Sequence, residues 1–172
     1  DKDLTVLDQK PKDRPSIETF IIPSGKIDNL LEKIKRDLDL GFQTYWICPL
    51  IEQSDKIDLS NSIERFEFLE KKLNNINVGL IHGKMSPEEK ENELAKFNDG
   101  ITSILVSTTV IEVGIDNPNA VSIIIECANR FGLSQLHQLR GRVGRGHEKS
   151  YCFLIYDSPL SESAIERLKI MK

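Results

Sequence analysis

Three arginines lie close together in the segment Gln138-Leu-Arg-Gly-Arg-Val-Gly-Arg145. The planar, permanently charged guanidinium group matches the oxygens of a phosphate, and an arginine supplied across a domain boundary can stabilise charge on a transferred γ-phosphoryl group. Arg142 and Arg145 are three residues apart, so on a helix they would point to one side. We expect these two arginines to bind phosphate; the alternative is a solvated basic face.

Hydroxyl side chains follow one another at the end of an apolar run, at Ser107, Thr108 and Thr109. Hydroxyls and backbone N–H groups at the end of a strand can hold phosphates without reading bases. The run is therefore a candidate contact for a nucleic-acid backbone. The alternative is an ordinary strand end whose hydroxyls bond locally.

A second candidate phosphate contact is the stretch His82-Gly83-Lys84, which lies between an apolar run and a helix start at Ser86. Backbone N–H groups near a helix N-terminus attract anions, and Lys84 adds a positive charge. A plain turn between a strand and a helix is the alternative.

The elements that must position these residues alternate along the chain. Apolar runs predict strands at 17–22, 42–49, 78–81, 103–107, 121–126 and 151–156. Helices are predicted after caps at Ser24, Ser86 and Ser134, at 63–73, and from Ser161 onward. This order predicts an α/β fold with a mostly parallel sheet, helices on both faces, and functional loops at the carboxyl ends of the strands, after Cys48, Ile81, Ser107 and Glu126. Tyr45 and Trp46 are expected in the core rather than at a base-stacking surface.

Composition limits the classes of protein. The 172 residues suit roughly one domain, and 27 acidic against 23 basic residues mean that any nucleic-acid contact needs a local basic patch. The three cysteines predict buried free thiols of a reducing compartment rather than a disulfide or metal site. No apolar run is long enough to span a membrane. We expect a cytosolic protein, and a fragment, because it begins with Asp1.

Several segments resemble superfamily 2 helicases. The arginine segment resembles their motif VI, residues 104–116 resemble motif V, and His82-Gly83-Lys84 resembles an accessory DNA-contacting motif. Residues 45–54, with Cys-Pro-Leu-Ile-Glu, and residues 129–140 resemble the RecG family of bacterial branch-migration helicases. The likeness covers nearly the whole chain. It implies a three-layer RecA-like domain at 17–157, a linker at 1–16 from a preceding motor domain, and the start of a helical extension at 158–172.

The resemblance also implies roles for single residues. Arg142 and Arg145 would act at the γ-phosphate, while Gln138, Gly114 and Asp116 would bind nucleotide or link its state to domain closure. The DNA backbone would be contacted by Ser107, Thr108, Thr109, His82, Gly83 and Lys84. No metal ligand is expected in this chain.

The sequence contains no Gly-x-x-x-x-Gly-Lys-Ser/Thr loop and no recognisable acidic magnesium motif. We therefore expect ATP and Mg²⁺ to be held mainly by the preceding domain, and this chain alone to be inactive as an ATPase. The implied partners are that domain and branched or double-stranded DNA, acted on by a monomer at the bacterial nucleoid, with no membrane.

Two other functions remain open at this point. The motor half of a transcription-repair coupling translocase shares the motif VI core. A non-enzymatic Rossmann-like binding module is the second, although no Gly-x-Gly-x-x-Gly follows the first strand.

Overall fold

The computed structural model describes residues 16–49, 55–108, 117–144, 146 and 148–172. Six strands in this part of the chain form one sheet in which every neighbouring pair is parallel. They are β1 (Ile17–Pro23), β2 (Gln43–Ile47), β3 (Val78–Ile81), β4 (Ile104–Ser107), β5 (Ala120–Ile125) and β6 (Ser150–Tyr156). Their order across the sheet is β1-β6-β5-β2-β4-β3. The prediction of a parallel sheet is confirmed.

Five α-helices connect or follow the strands in the described part of the chain. They are α1 (Ile27–Asp39), α2 (Asp55–Lys72), α3 (Pro87–Asn98), α4 (Leu133–Arg140) and α5 (Glu162–Met171). Short 3-10 turns at Ser24–Lys26 and Ala128–Arg130 precede α1 and α4.

The sheet is buried because helices cover both of its faces. Every residue of the central strands β2, β4 and β5 is buried, as expected for parallel strands between two helical layers. On one face, α1 and α2 pack through residues such as Leu30, Ile34 and Leu69. On the other, α3, α4 and α5 contribute Phe97, Leu136 and Leu168. The predicted three-layer architecture is confirmed.

Tyr45 and Trp46 point to opposite faces of β2 and belong to different core clusters. Their exposed fractions are 6% and 0%, which confirms that both are core residues. Neither presents a ring for stacking by an external base.

Two predicted helix caps were wrong. A 3-10 turn occupies Ser24–Lys26, so α1 begins later, at Ile27, after Lys26, which makes no side-chain cap bond. Gly132 is the N-cap of α4, and its backbone N–H donates to Oε1 of Gln135 at 3.2 Å. Ser134 therefore lies inside the first turn of the helix. The cap at Ser86 is confirmed, with a bond from the N–H group of Glu89. Ser161, where the last helix was predicted to begin, caps α5 and accepts a bond from the N–H group of Ala164.

Helix α5 packs against the rest of the sheet domain. Leu168 and Met171 are 2% and 1% exposed and join the core cluster on the face of α4. The Arg167 guanidinium donates to the carbonyls of Asn129 and Phe131, at 2.9 and 3.1 Å. The division of the chain into residues 1–16, 17–157 and 158–172 stays a prediction. No helix in the described ranges is both long and apolar enough to cross a membrane.

Candidate functional site

The carboxyl ends of the parallel strands bring together the loops that the sequence singled out. Cys48, His82, Thr108 and Glu126 each directly follow a strand, β2, β3, β4 and β5 respectively. Backbone bonds join neighbouring ends: Cys48 N–H donates to the Ser107 carbonyl at 2.8 Å, and Thr108 N–H donates to the Ile81 carbonyl at 3.1 Å. The candidate DNA-binding residues of β3 and β4 therefore share one edge of the sheet.

Ser107 and Thr108 are both buried at this edge. Thr108 is 3% exposed, and its hydroxyl has no hydrogen-bond partner in the described structure. A buried hydroxyl without a partner is unfavourable, so a ligand or a local movement that satisfies it would be stabilising. Thr109, Gly114 and Asp116 lie outside the described residues.

The stretch His82-Gly83-Lys84 forms a tight turn after β3. The Lys84 N–H donates to Nδ1 of His82 at 3.2 Å, and the Met85 N–H donates to the His82 carbonyl at 3.2 Å. An Nδ1 that accepts leaves the proton of the neutral ring on Nε2. With the His82 N–H, which donates to Sδ of Met85 at 3.4 Å, three backbone donors are used within the turn. Gly83 and the side chains of His82 and Lys84 stay its candidate phosphate contacts.

The N-terminus of α3 beside this turn already holds a carboxylate. Ser86 N–H donates to Oε1 of Glu89 at 2.8 Å, and Glu89 N–H donates back to the Ser86 hydroxyl at 3.1 Å. These bonds from Ser86 lower the pKa of Glu89 below its ordinary value. The negative charge at the helix start competes with any phosphate there, so Lys84 is the stronger candidate.

The arginine motif lies beyond the end of α4 rather than on it. Helix α4 ends at Arg140, with Gly141 as its C-cap, and Gly144 has a left-handed φ of 82°. Arg142 therefore lies beyond the helix, so a shared helical face with Arg145 does not apply to it. Gln138 lies exposed on the last turn of α4, Arg142 is half-buried, and Arg145 lies outside the described residues.

Arg140 anchors the end of α4. Its Nη1 donates to the Thr19 hydroxyl of β1 at 3.2 Å and to the Met171 carbonyl of α5 at 2.5 Å, and its Nη2 lies 3.2 Å from Nδ1 of His137. These bonds hold β1, α4 and α5 together. Arg140 thus positions the loop that carries Arg142.

Two glycines place this loop against the amino ends of strands. A Cβ on Gly144 would lie 2.9 Å from the side chain of Ile17, at the start of β1. A Cβ on Gly146 would lie 2.7 Å from the carbonyl oxygen of Pro118, just before β5. A side chain at position 146 would clash with backbone, and one at position 144 would require Ile17 to move. Because both contacts are at the amino ends of strands, the arginine motif lies at the opposite end of the sheet from Ser107 and His82.

A cluster around Glu126 was not assigned any role from the sequence. Arg65 of α2 binds both carboxylate oxygens, with Nε and Nη2 at 2.7 and 2.8 Å, and Trp46 Nε1 donates at 2.6 Å. Cys48 Sγ lies 3.5 Å from the same carboxylate. A cavity of about 430 Å³ opens beside this cluster, between the ends of β2 and β5 and the helix α2. The acidic residue after an apolar strand was visible in the sequence; its partner, 61 positions away, was not.

The three thiols are free, as predicted, and Cys48 and Cys152 are buried, but the prediction of burial was wrong for Cys127, which is half-buried. Burial, followed by the charge of Glu126, holds the pKa of the Cys48 thiol well above its ordinary value. Burial and a hydrogen bond to Asp157 raise the pKa of Cys127 to about 12, and burial raises that of Cys152 to about 12. These groups are neutral thiols near pH 7 and are poor nucleophiles.

The sequence is similar to bacterial proteins named ATP-dependent DNA helicase RecG. It is 46% identical to that of Acidithiobacillus ferridurans over 172 residues, which is 100% of this chain and 25% of that protein. It is 47% identical to that of Bacillus subtilis over 170 residues, which is 98% of this chain and 25% of that protein. The chain thus spans about a quarter of the length of these relatives.

Two solved structures also match the chain. A structure of RecG bound to a three-way DNA junction matches with a TM-score of 0.79 and 41% identity, over 97% of this chain and 21% of that one. The yeast DEAD-box splicing factor Prp28 matches with a TM-score of 0.71 and 18% identity, over 98% of this chain and 34% of that one. The second likeness concerns the fold alone, which is the predicted RecA-like one.

A family model covers most of the described domain, from the 3-10 turn before α1 to the end of the arginine motif. It matches residues 25–147 and is described as "Helicase conserved C-terminal domain". The chain belongs to the helicase conserved C-terminal domain family.

Proposed function

We propose that this chain is the C-terminal motor domain of an ATP-dependent DNA helicase that remodels branched DNA, at stalled forks and Holliday junctions. The observation that carries the proposal is the placement of the arginine motif. Arg140 and the close contact of Gly144 with Ile17 fix a loop that presents Arg142 at one end of the sheet. Residues suited to a nucleic-acid backbone lie at the other end. The RecG relatives and the junction-bound RecG structure support this assignment.

At the arginine end, Arg142 and Arg145 are proposed to contact the γ-phosphate of ATP bound by a preceding motor domain of the same polypeptide. Gln138, Gly114 and Asp116 would link the nucleotide state to closure of the two domains. Guanidinium donors on a fixed loop suit the charge that develops on a transferred phosphoryl group. The half-buried Arg142 fits this role, while a cradle for the α- and β-phosphates is missing from the sequence.

When bound, ATP would supply the γ-phosphoryl group whose transfer to water releases free energy, and Mg²⁺ would neutralise charge on the phosphates. Among the described residues, no cluster of three acidic, histidine or cysteine side chains is arranged to hold a metal ion. Both ATP and Mg²⁺ are proposed to be held mainly by the preceding domain, to which this chain adds Arg142, Arg145, Gln138, Gly114 and Asp116.

At the carboxyl edge, Ser107, Thr108 and Thr109 are proposed to contact the DNA backbone together with His82, Gly83 and Lys84. Such contacts are independent of sequence, which suits an enzyme that moves along DNA. We propose that it works as a monomer on bacterial chromosomal DNA in the cytoplasm.

Arg145→Ala in the full-length polypeptide tests the arginine role. We expect DNA-stimulated ATP turnover to fall about 10³-fold, because an arginine at the γ-phosphate typically contributes that much. Arg36→Ala, at an exposed position of α1, is the matched control and should retain turnover. Turnover within a few-fold of the parent in Arg145→Ala would show that this arginine has no such role. Unwinding of a synthetic fork, measured in parallel, tests the branched-DNA substrate.

A further inference from the structure

The cavity beside Glu126 lies where the connections of the sheet reverse direction. After β2 the chain runs towards β4 and β3, whereas after β5 it runs towards β6 and β1. In open α/β sheets the crevice between two such strands, at their carboxyl ends, is the usual ligand site. The cavity of about 430 Å³ is in this crevice, and the proposed contacts to phosphate do not use it.

Its lining combines the aromatic ring of Phe68 with hydrogen-bonding side chains. The Arg65 guanidinium lies 5.0 Å from the ring centroid of Phe68, and both line the cavity. Arg65 has five N–H donors, and two of them bind Glu126. Asn61 adds an amide that both donates and accepts, and Glu64 adds a carboxylate acceptor.

The charges in the lining disfavour a phosphate. The positive charge of Arg65 is balanced by Glu126 at 2.7 Å, and Glu64 gives the described lining residues a net negative charge. A planar, uncharged heterocycle with donors and acceptors on its edge fits better, because it can stack on Phe68 or Arg65 and bond to Asn61 and Glu64. A nucleobase is such a group.

The cavity also lies next to the proposed backbone contacts. Cys48, which lines it, donates its N–H to the Ser107 carbonyl at 2.8 Å. Neighbouring strands lie about 4.8 Å apart, so the cavity begins about one strand spacing from Ser107. We infer that the cavity between β2, β5 and α2 binds a single unstacked base of the DNA strand whose phosphates contact Ser107 and its neighbours. This inference rests on the proposed DNA-binding function.

The test uses the full-length polypeptide and a synthetic junction in which a single abasic site is moved along each strand. Binding is measured by fluorescence anisotropy. We expect one abasic position to weaken binding about 5-fold or more, because stacking of one base on an aromatic side chain contributes at least that factor. Abasic sites elsewhere should have little effect.

Protein variants then assign that position to the cavity. Phe68→Leu keeps an apolar side chain but removes the aromatic face, and Asn61→Ala changes an exposed residue that the fold does not require. Both should bind the intact junction more weakly and lose their sensitivity to the abasic site. Phe66→Leu is the control, since Phe66 is also half-buried on α2 but does not line the cavity. It should behave as the parent does.

The outcomes separate this inference from the proposed function. Tight junction binding with no sensitive abasic position overturns the base site and leaves the helicase function standing. A sensitive position that persists in both Phe68→Leu and Asn61→Ala places the base elsewhere and also overturns it. Failure of the parent protein to bind any junction overturns both proposals.

Discussion

Arg65 and Glu126 form a bidentate ion pair that ties helix α2 to the carboxyl end of β5, with N–O distances of 2.7 and 2.8 Å. The pair joins residues 61 positions apart, and the indole N–H of Trp46 donates to the same carboxylate. The pair joins α2 to the end of β5, and both of these elements line the cavity. It therefore fixes the distance between the two sides of the cavity.

Arg65→Met should destabilise the fold. Removing one partner of a buried pair typically costs about 3–5 kcal/mol, and we expect about 1–3 kcal/mol because both side chains keep some solvent contact, 21% and 16%. Urea unfolding measures the loss. Lys149→Met, which removes the exposed pair with Glu18 at 3.0 Å, is the control and should lose much less. Equal losses in the two variants would contradict a structural role for the Arg65–Glu126 pair.

Gly144→Ala should destabilise the arginine loop. The left-handed φ of 82° disfavours any side chain by about 1–3 kcal/mol, and the new methyl group would meet Ile17 at 2.9 Å. Gly25→Ala, where no atom lies within 4 Å of the added Cβ, should change stability by less than about 0.5 kcal/mol. Ile17→Val in the Gly144→Ala background should recover only the steric part. A thermal melt in which the two alanine variants coincide would argue against the observed loop geometry.

Replacing the two serines near helix starts by alanine should cost different amounts of folding stability. Ser161 accepts the N–H of Ala164 at 3.1 Å, so Ser161→Ala should cost about 1 kcal/mol. Ser134 lies within α4, where Gly132 precedes the helix, so Ser134→Ala should change stability by less than about 0.5 kcal/mol. Denaturant midpoints compare the two variants directly. A larger loss of stability in Ser134→Ala than in Ser161→Ala would support the predicted cap at Ser134.

Cys127 should react slowly with iodoacetamide despite its partial exposure. A thiol with a pKa of about 12 is ionised in about one molecule in 10⁴ at pH 8, and the rate should rise about tenfold per pH unit below that pKa. Asp157→Asn should speed the reaction, because it removes the negative charge that helps to raise the pKa. Mass spectrometry of the alkylated peptide gives the rate, with urea-unfolded protein as the reference. Parent and variant rates that agree would exclude the Asp157 effect.

Local signals in the sequence predicted most of the fold. The alternation of apolar runs and helix starts was enough to predict all six strands, and the Ser86 capping box was visible because its partners lie three residues apart. The predicted caps at Ser24 and Ser134 were wrong for different reasons. A 3-10 turn begins at Ser24, and Gly132 takes the N-cap position before Ser134. Which of several nearby residues caps a helix depends on the backbone geometry of a single turn. The residue type alone does not reveal that geometry.

The candidate site was only partly predictable. Placement of Ser107, His82 and Cys48 on one edge follows from parallel pairing, which the strand pattern predicts. The end of α4 before Arg142, and the anchoring of Arg140 by Thr19 and Met171, depend on contacts between distant segments. The Arg65–Glu126 pair has the same origin, since nothing local marks Arg65 as the partner of an acid on another strand.

The separation of the arginine loop from Ser107 has a mechanical consequence. The strands of four to seven residues between the two ends span about 13–23 Å, too far for a side chain at one end to touch a ligand at the other. A close-packed parallel sheet does not shorten, so a displacement at one end moves the whole domain as a rigid body.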